Sequence, residues 1–400
     1  MKVIATAALI FIATIVKATA GFQAGPAAPV APALLSETGL YTTPAGEGTL
    51  EIDPRNRPFT PQYPLWTDGA AKKRWIRLPE GAVIDATNLA RWEFPIGTRF
   101  WKEFSFNGKK VETRMLWRAT GDAWVFATYA WNDEQTEAVL APEAGIPGAA
   151  EVGPFDVAQG KPFGGAQGKP GKRHSIPGIA DCRSCHDSAR TEILGFTALN
   201  LSDDRDPNAP HAEPLTKEMI TLRTLTEENL ITPKRPRLIT SPPRIAAASP
   251  TERAALGYLS TNCGSCHNQE SSLASLGLFL KHMPGTGSRP ASAREASYGE
   301  VTPERLRREG GDPGTAALDT TINKRGHWVV PDAQEDSRLI NPGRPDASAI
   351  IRRVKSRRPL SQMPPLGTVI VDQEAVDLLT RWVQEMGTQV TRSTDRRIAK

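Results

Sequence analysis

Every cysteine in this 400-residue chain belongs to one of two Cys-x-x-Cys-His runs, Cys182-Arg183-Ser184-Cys185-His186 and Cys263-Gly264-Ser265-Cys266-His267. Two intervening residues bring both sulfurs to one side of a single turn. There they can form thioether bonds to the two vinyl groups of a haem, and the histidine that follows lies under the iron as its proximal ligand. Three other chemistries use the same residue types. Four cysteines can hold one zinc ion in a ribbon, but the 77 residues between Cys185 and Cys263 exceed the usual ribbon spacing. Disulfide-type pairs account for the thiols and leave the two histidines unexplained. A relic first motif that binds nothing is the third. The doubled motif, with no cysteine left over, points to two covalent haems and their iron.

The first residues agree with that chemistry. Lys2, an apolar run from Val3 to Val16 and the small residues Ala18-Thr19-Ala20 read as a signal peptide over 1–20, which predicts a periplasmic or secreted protein. Nothing later is long and apolar enough to span a bilayer, so no transmembrane span is expected in the mature chain. Net charge is +5, or +3 without Lys2 and Lys17, too mild a bias for a nucleic-acid partner.

These motifs need positioning elements, and the chain divides into a tryptophan-rich front and a helix-rich back. Residues 21–39 read as a flexible arm. Across 40–145, short runs of β-formers alternate with turn signals; Asn107-Gly108 is the clearest hairpin turn. The expectation is an all-β sandwich or jelly-roll-like domain. Seven of the nine tryptophans lie between Trp66 and Trp131, and they are read as core filling rather than as a ligand platform. Lys102, Glu112 and Arg114 are read as ordinary surface charges paired across strands. Residues 146–173, with a near-repeat of Ala-Gln-Gly-Lys-Pro, read as a low-complexity linker. Residues 174–245 carry the first haem-binding region, and 246–390 a mainly helical second one.

The second region is the more complete. A helix opening at Pro250 leads into Cys263. Asp372 can cap another that carries Val376, Leu379, Trp382, Val383 and Met386 at helical spacing. The two are expected to pack, with Gly257 admitting the ring of Trp382. Between them Met363-Pro364-Pro365 offers a thioether as a sixth iron ligand. Residues 250–388 thus resemble class I c-type cytochromes, in which a Cys-x-x-Cys-His after a helix, a Met-Pro-Pro loop and a C-terminal helix enclose one haem. The resemblance implies His267 and Met363 as axial ligands. The 95 residues between them depart from that pattern, and 284–325 reads as an insertion.

The first motif lacks a Met-Pro partner. His174, His211, Met219 and His327 are each available as its sixth ligand, Met219 with core packing beside Leu215 and Leu222 as its competing duty; an open position is the other possibility. As a whole, with Pro64-Leu65-Trp66-Thr67-Asp68-Gly69 and Glu112-Thr113-Arg114 in the front half, the chain resembles a group of uncharacterised secreted bacterial cytochromes. That likeness implies single-electron transfer by a dihaem protein and no particular substrate. Its alternative is a haem enzyme, a peroxidase or small-molecule oxidase, with an open site at Cys182 and Cys185. Arg352, Arg353, Lys355, Arg357 and Arg358 beside the methionine loop suggest a docking rim for an acidic redox partner.

Overall fold

In a computed structural model of the chain, the described residues are 29–42, 50–89, 91–121, 123–152, 155–156, 161–162, 172–189, 193–282 and 316–398. The expected signal peptide and most of the expected insertion lie outside them. Contacts separate residues 1–30 from one compact unit, 31–400, and both motifs belong to the latter.

The front half of this unit is built on one six-stranded antiparallel sheet. The strands run in the order β1 (Arg57–Pro58), β2 (Ala71–Arg77), β4 (Arg99–Phe106), β5 (Lys109–Arg118), β6 (Trp124–Trp131) and β7 (Ala138–Leu140). The short β3 (Ile84–Asp85) pairs instead, in parallel, with β12 (Ile231–Thr232). Asn107 and Gly108 both adopt positive φ, 50° and 80°. That is the geometry of a tight two-residue hairpin and joins β4 to β5 as expected.

Alternation then divides the side chains. Trp75, Trp101 and Met115 face one way and pack with Tyr129, Leu35 and Leu40. Ile76 and Phe100 face the other way and pack with Phe59, Trp92, Phe94 and Phe196. Both faces are therefore covered, and the other three sheets among the described residues have two strands each. Strands buried on both faces show the same alternation of rings as strands in a sandwich, so the pattern could not tell the two apart. The tryptophans do fill core: Trp66, Trp75, Trp92 and Trp101 are buried.

Two segments expected to be unstructured carry regular elements. Leu35–Thr38 is a 3-10 turn with Leu35 wholly buried. β8 (Ile146–Val152) pairs with β11 (Lys172–Ile176) across the glycine-rich stretch, and the two-residue strands β9 (Phe155–Asp156) and β10 (Lys161–Pro162) pair between them.

The back half is helical. α1 (Ile179–His186) holds the first motif, and the short α2 (Leu222–Glu227) and α3 (Arg237–Thr240) follow. α4 (Pro250–Asn262) starts as its residues dictate: the Ser249 hydroxyl accepts from the Glu252 N–H at 3.1 Å, with proline at the first helical position. After α5 (Ala316–Thr321) and α6 (Ala349–Lys355), Asp372 caps α7 (Gln373–Ile398) by accepting from the Ala375 N–H at 3.1 Å. Ala255, Leu256 and Leu259 of α4 share one core with Val376, Leu379, Trp382 and Val383 of α7.

Gly257, however, meets a different ring from the one expected. A Cβ there would stand 2.1 Å from Tyr63 Cε1, whereas Trp382 reaches Glu252, its Nε1 donating at 3.4 Å. Tyr63 begins the segment that ties the sheet to the helices. The Trp66 N–H donates to Asn262 Oδ1 at 2.8 Å, one residue before Cys263. Asp68, at φ 47°, accepts from the Val369 and Ile370 N–H groups at 2.7 and 3.1 Å.

Candidate functional site

The two Cys-x-x-Cys-His motifs, 77 residues apart in the chain, meet in the fold. Cys185 and Cys266 lie close enough to act on one another, which raises the Cys185 pKa and lowers that of Cys266. Cys266 Sγ also lies 4.0 Å from the Ser184 carbonyl oxygen. All four thiols are free and half-buried. Among the described residues no group of three or more His, Cys, Asp and Glu side chains is arranged to hold a metal ion, so the four sulfurs do not converge on one point as a zinc ribbon requires.

The second motif continues directly from α4. The His267 N–H donates to the Cys263 carbonyl at 2.9 Å. Gly264 has no room for a side chain, because a Cβ would lie 2.3 Å from the Ser260 carbonyl oxygen and 2.7 Å from Lys281 Cα. Burial pushes the Cys263 thiol up to about 12. His267 is buried and its Nδ1 has no hydrogen-bond partner. Burial first, and the Arg353 charge second, lower its pKa, which favours the neutral ring that coordinates iron.

Arg353 also carries the methionine loop. Its carbonyl accepts from the Met363 N–H at 3.0 Å, and its Nε donates to the Ser361 carbonyl at 3.2 Å. Met363 is half-buried there. Arg353 is therefore the residue common to both expected axial ligands. A buried histidine with an unengaged ring nitrogen, two neighbouring free thiols and a thioether loop held by Arg353 fit a haem c.

The first motif lies on the sheet. The His186 ring is 5.3 Å from that of Phe126, and the Arg183 guanidinium stands 5.3 Å over the same ring. Burial raises the Cys182 pKa, against the nearby Arg114 charge.

Two of its four candidate sixth ligands are otherwise occupied. His174 is 1 % exposed and both its ring nitrogens are engaged, Nδ1 by Asp68 at 2.9 Å and Nε2 by Glu112 at 3.1 Å. His211 is held by Asp372 at 2.9 Å and Glu374 at 3.2 Å. Met219 lies outside any helix, so the apolar stripe expected with Leu215 and Leu222 does not form; Leu215 is exposed. His327 sits on an exposed bend. None of the four is shown against the first motif.

Two charge expectations change. Glu112 is fully buried, linked to Arg114 at 2.6 Å and to His174, and Arg114 and Lys102 are half-buried with it. These are not solvated surface pairs, because the face they share is covered. Of the basic cluster, Arg353 and Arg357 turn inward to main-chain carbonyls and Arg352 pairs with Asp332 at 3.1 Å. Lys355 and Arg358 remain exposed beside Leu360, which is 93 % exposed.

Comparison with family models, with curated proteins and with solved structures returns no match for this chain. Among the described residues no helix is long and apolar enough to cross a membrane.

Proposed function

We propose that this is an exported dihaem c-type cytochrome that transfers single electrons. One haem is held by Cys182, Cys185 and His186. The other is held by Cys263, Cys266 and His267 in a class I-like region, with Met363 as its sixth ligand. The observation that carries the reading is the approach of Cys266 Sγ to 4.0 Å from the carbonyl oxygen of Ser184, inside the other motif. It joins two motifs remote in sequence, so cofactors attached to them lie side by side and an electron entering at one has a short path to the other. The neutral, buried His267 and the Arg353-supported Met363 loop supply the ligand pair suited to a carrier. Lys355, Arg358 and Leu360 give that loop a small basic and apolar rim of the kind transient redox partners use.

Ligation is testable directly. The oxidised protein, matured with a haem-ligation system, is expected to show a sulfur-to-iron charge-transfer band, and Met363→Ala to abolish it. A band that survives the substitution refutes the ligand assignment.

The second reading, a haem enzyme reacting at the Cys182 and Cys185 site, is favoured by one observation. His174 and His211 have both ring nitrogens engaged by carboxylates, so neither is free to close a sixth position there. Cyanide binding distinguishes the readings: a carrier with two closed haems leaves it unbound, and an enzyme takes it up at one haem only.

A further inference from the structure

Strand register sets three cations directly opposite one another on one face of the large sheet. Arg74 of β2 faces Lys102 of β4, Lys102 faces Arg114 of β5, and Arg114 faces Thr128 of β6. Lys72 lies on the same face one row along, opposite Phe104. Neighbouring strands are ~4.8 Å apart, so the row places three positive charges within about 10 Å. Like charges directly opposed across strands destabilise a sheet.

The carboxylates within reach do not balance the cations. Glu213 holds Arg74 at 2.6 Å and Glu112 holds Arg114 at 2.6 Å, and the two ring nitrogens of His174 engage Asp68 and Glu112. Glu213 and, more weakly, Asp372 pull on Lys72, but Glu213 is itself held by Arg74 and Asp372 by His211 at 2.9 Å. Among the described residues Lys72 Nζ donates only to the Ala70 carbonyl, at 3.1 Å. Lys102 has no hydrogen-bond or ion-pair partner among the described residues; its Nζ sits 4.9 Å over the Phe104 ring. Two lysines thus lack a carboxylate of their own: Glu112, which acts on Lys102, is held by Arg114 and His174. Two further polar atoms on this face are buried without a partner: Arg74 Nη2, on a residue 5 % exposed, and Thr128 Oγ1. Burial and the neighbouring cations lower the pKa of Lys102 well below its usual value and that of Lys72 to about 8, the sign of a site short of negative charge.

The missing charge has an evident source. α1 packs at the end of this row: Phe126, which meets His186, is two residues from Thr128 on the same strand face, and the Cys182 and Cys185 thiols act electrostatically on Arg114. We infer that Lys72, Arg74, Lys102, Arg114 and Thr128 form a binding site for a pair of carboxylates, occupied by the two propionates of the haem attached to Cys182 and Cys185. This rests on the proposed function. Propionates leave one edge of the macrocycle together, and two anions match the two lysines left unpaired.

The test uses the full mature chain carrying Lys102→Met, which keeps the length of the side chain and removes its charge. Haems are first counted by intact mass, so that loss of the cofactor is separated from loss of the site. With both haems present, spectroelectrochemistry is expected to show one reduction potential lowered, that of the haem lacking the methionine band, because a cation near the propionates stabilises the added electron. The methionine-ligated haem should not move. Stability gives a second readout: Lys102→Met is expected to lower the melting temperature of the loaded protein and to raise it in a Cys182→Ala/Cys185→Ala background, where no propionates offset the repulsion. Two haems with neither potential changed refute the propionate site alone. Succinate that stabilises the loaded wild type but not Lys102→Met shows a free dicarboxylate in the site and overturns the propionate assignment. A wild-type mass lacking the first haem refutes the functional reading and its occupant with it.

Discussion

His174 is the most exposing place to perturb the joint between the sheet and the two motifs. Its ring bridges Asp68 and Glu112 at 2.9 and 3.1 Å, and all three side chains are at most 1 % exposed. Each of these charge-assisted bonds is worth roughly 1.5–3 kcal/mol. His174→Ala leaves two buried carboxylates short of a partner, a change that costs about 3–5 kcal/mol when a buried pair is broken outright. Here the loss is partly offset, since Asp68 keeps the Val369 and Ile370 N–H groups and Glu112 keeps Arg114. The lower end, about 3 kcal/mol, is therefore expected, roughly a hundredfold in the unfolding equilibrium. Urea unfolding measures it as a lower midpoint at unchanged slope.

The sign with pH is also determined. Burial alone would lower the His174 pKa, but the bonds to Asp68 and Glu112 outweigh it, and the folded value is raised above the usual 6.5. The stabilisation is then fully present below 6.5 and is lost as pH rises through the folded value. Glu112, lowered overall by Arg114 and His174 despite its burial, contributes stability present above its usual 4.5 and lost as pH falls through its lowered value. The gap between wild type and His174→Ala should accordingly narrow on the alkaline side. A cost below about 1 kcal/mol, or a gap that widens with pH, would refute the reasoning.

Two further substitutions probe the frame around the second motif. Gly257→Ala puts a Cβ 2.1 Å from Tyr63 Cε1 and is expected to destabilise by about 1–3 kcal/mol through overpacking; the same denaturation measurement checks it, and a neutral result would mean that Tyr63 does not pack there. Ser249→Ala removes the cap on the Glu252 N–H and should cost about 1 kcal/mol in thermal unfolding, with the spectrum of the attached haem unchanged.

How much of this was legible beforehand depended on whether the information was local. The positive-φ turn at Asn107 and Gly108, the start of α4 at Pro250, the cap at Asp372 and the buried stripe of α7 are set by residues a few positions apart, and short-range chemistry was enough to find them. The partner of Gly257 was not, because Tyr63 comes from the opposite half of the chain and nothing in either neighbourhood names the other. The charges on β4 and β5 misled for a related reason. Lys102 and Arg114 look like solvated residues within their own strands, and only the register with Arg74 and the packing of α1 reveal a covered cationic row. Free-standing histidines posed the same difficulty: His174 was visible as a titratable residue, yet its commitment to Asp68 and Glu112 depends on two distant strands and a loop.

The central claim is that haem is covalently attached at both thiol pairs. Intact mass of the mature chain, produced in an exporting host with a haem-ligation system, tests it most directly. Two haems per chain are expected, falling to one in Cys182→Ala/Cys185→Ala and to one in Cys263→Ala/Cys266→Ala. A chain whose mass is that of the polypeptide alone would contradict the account.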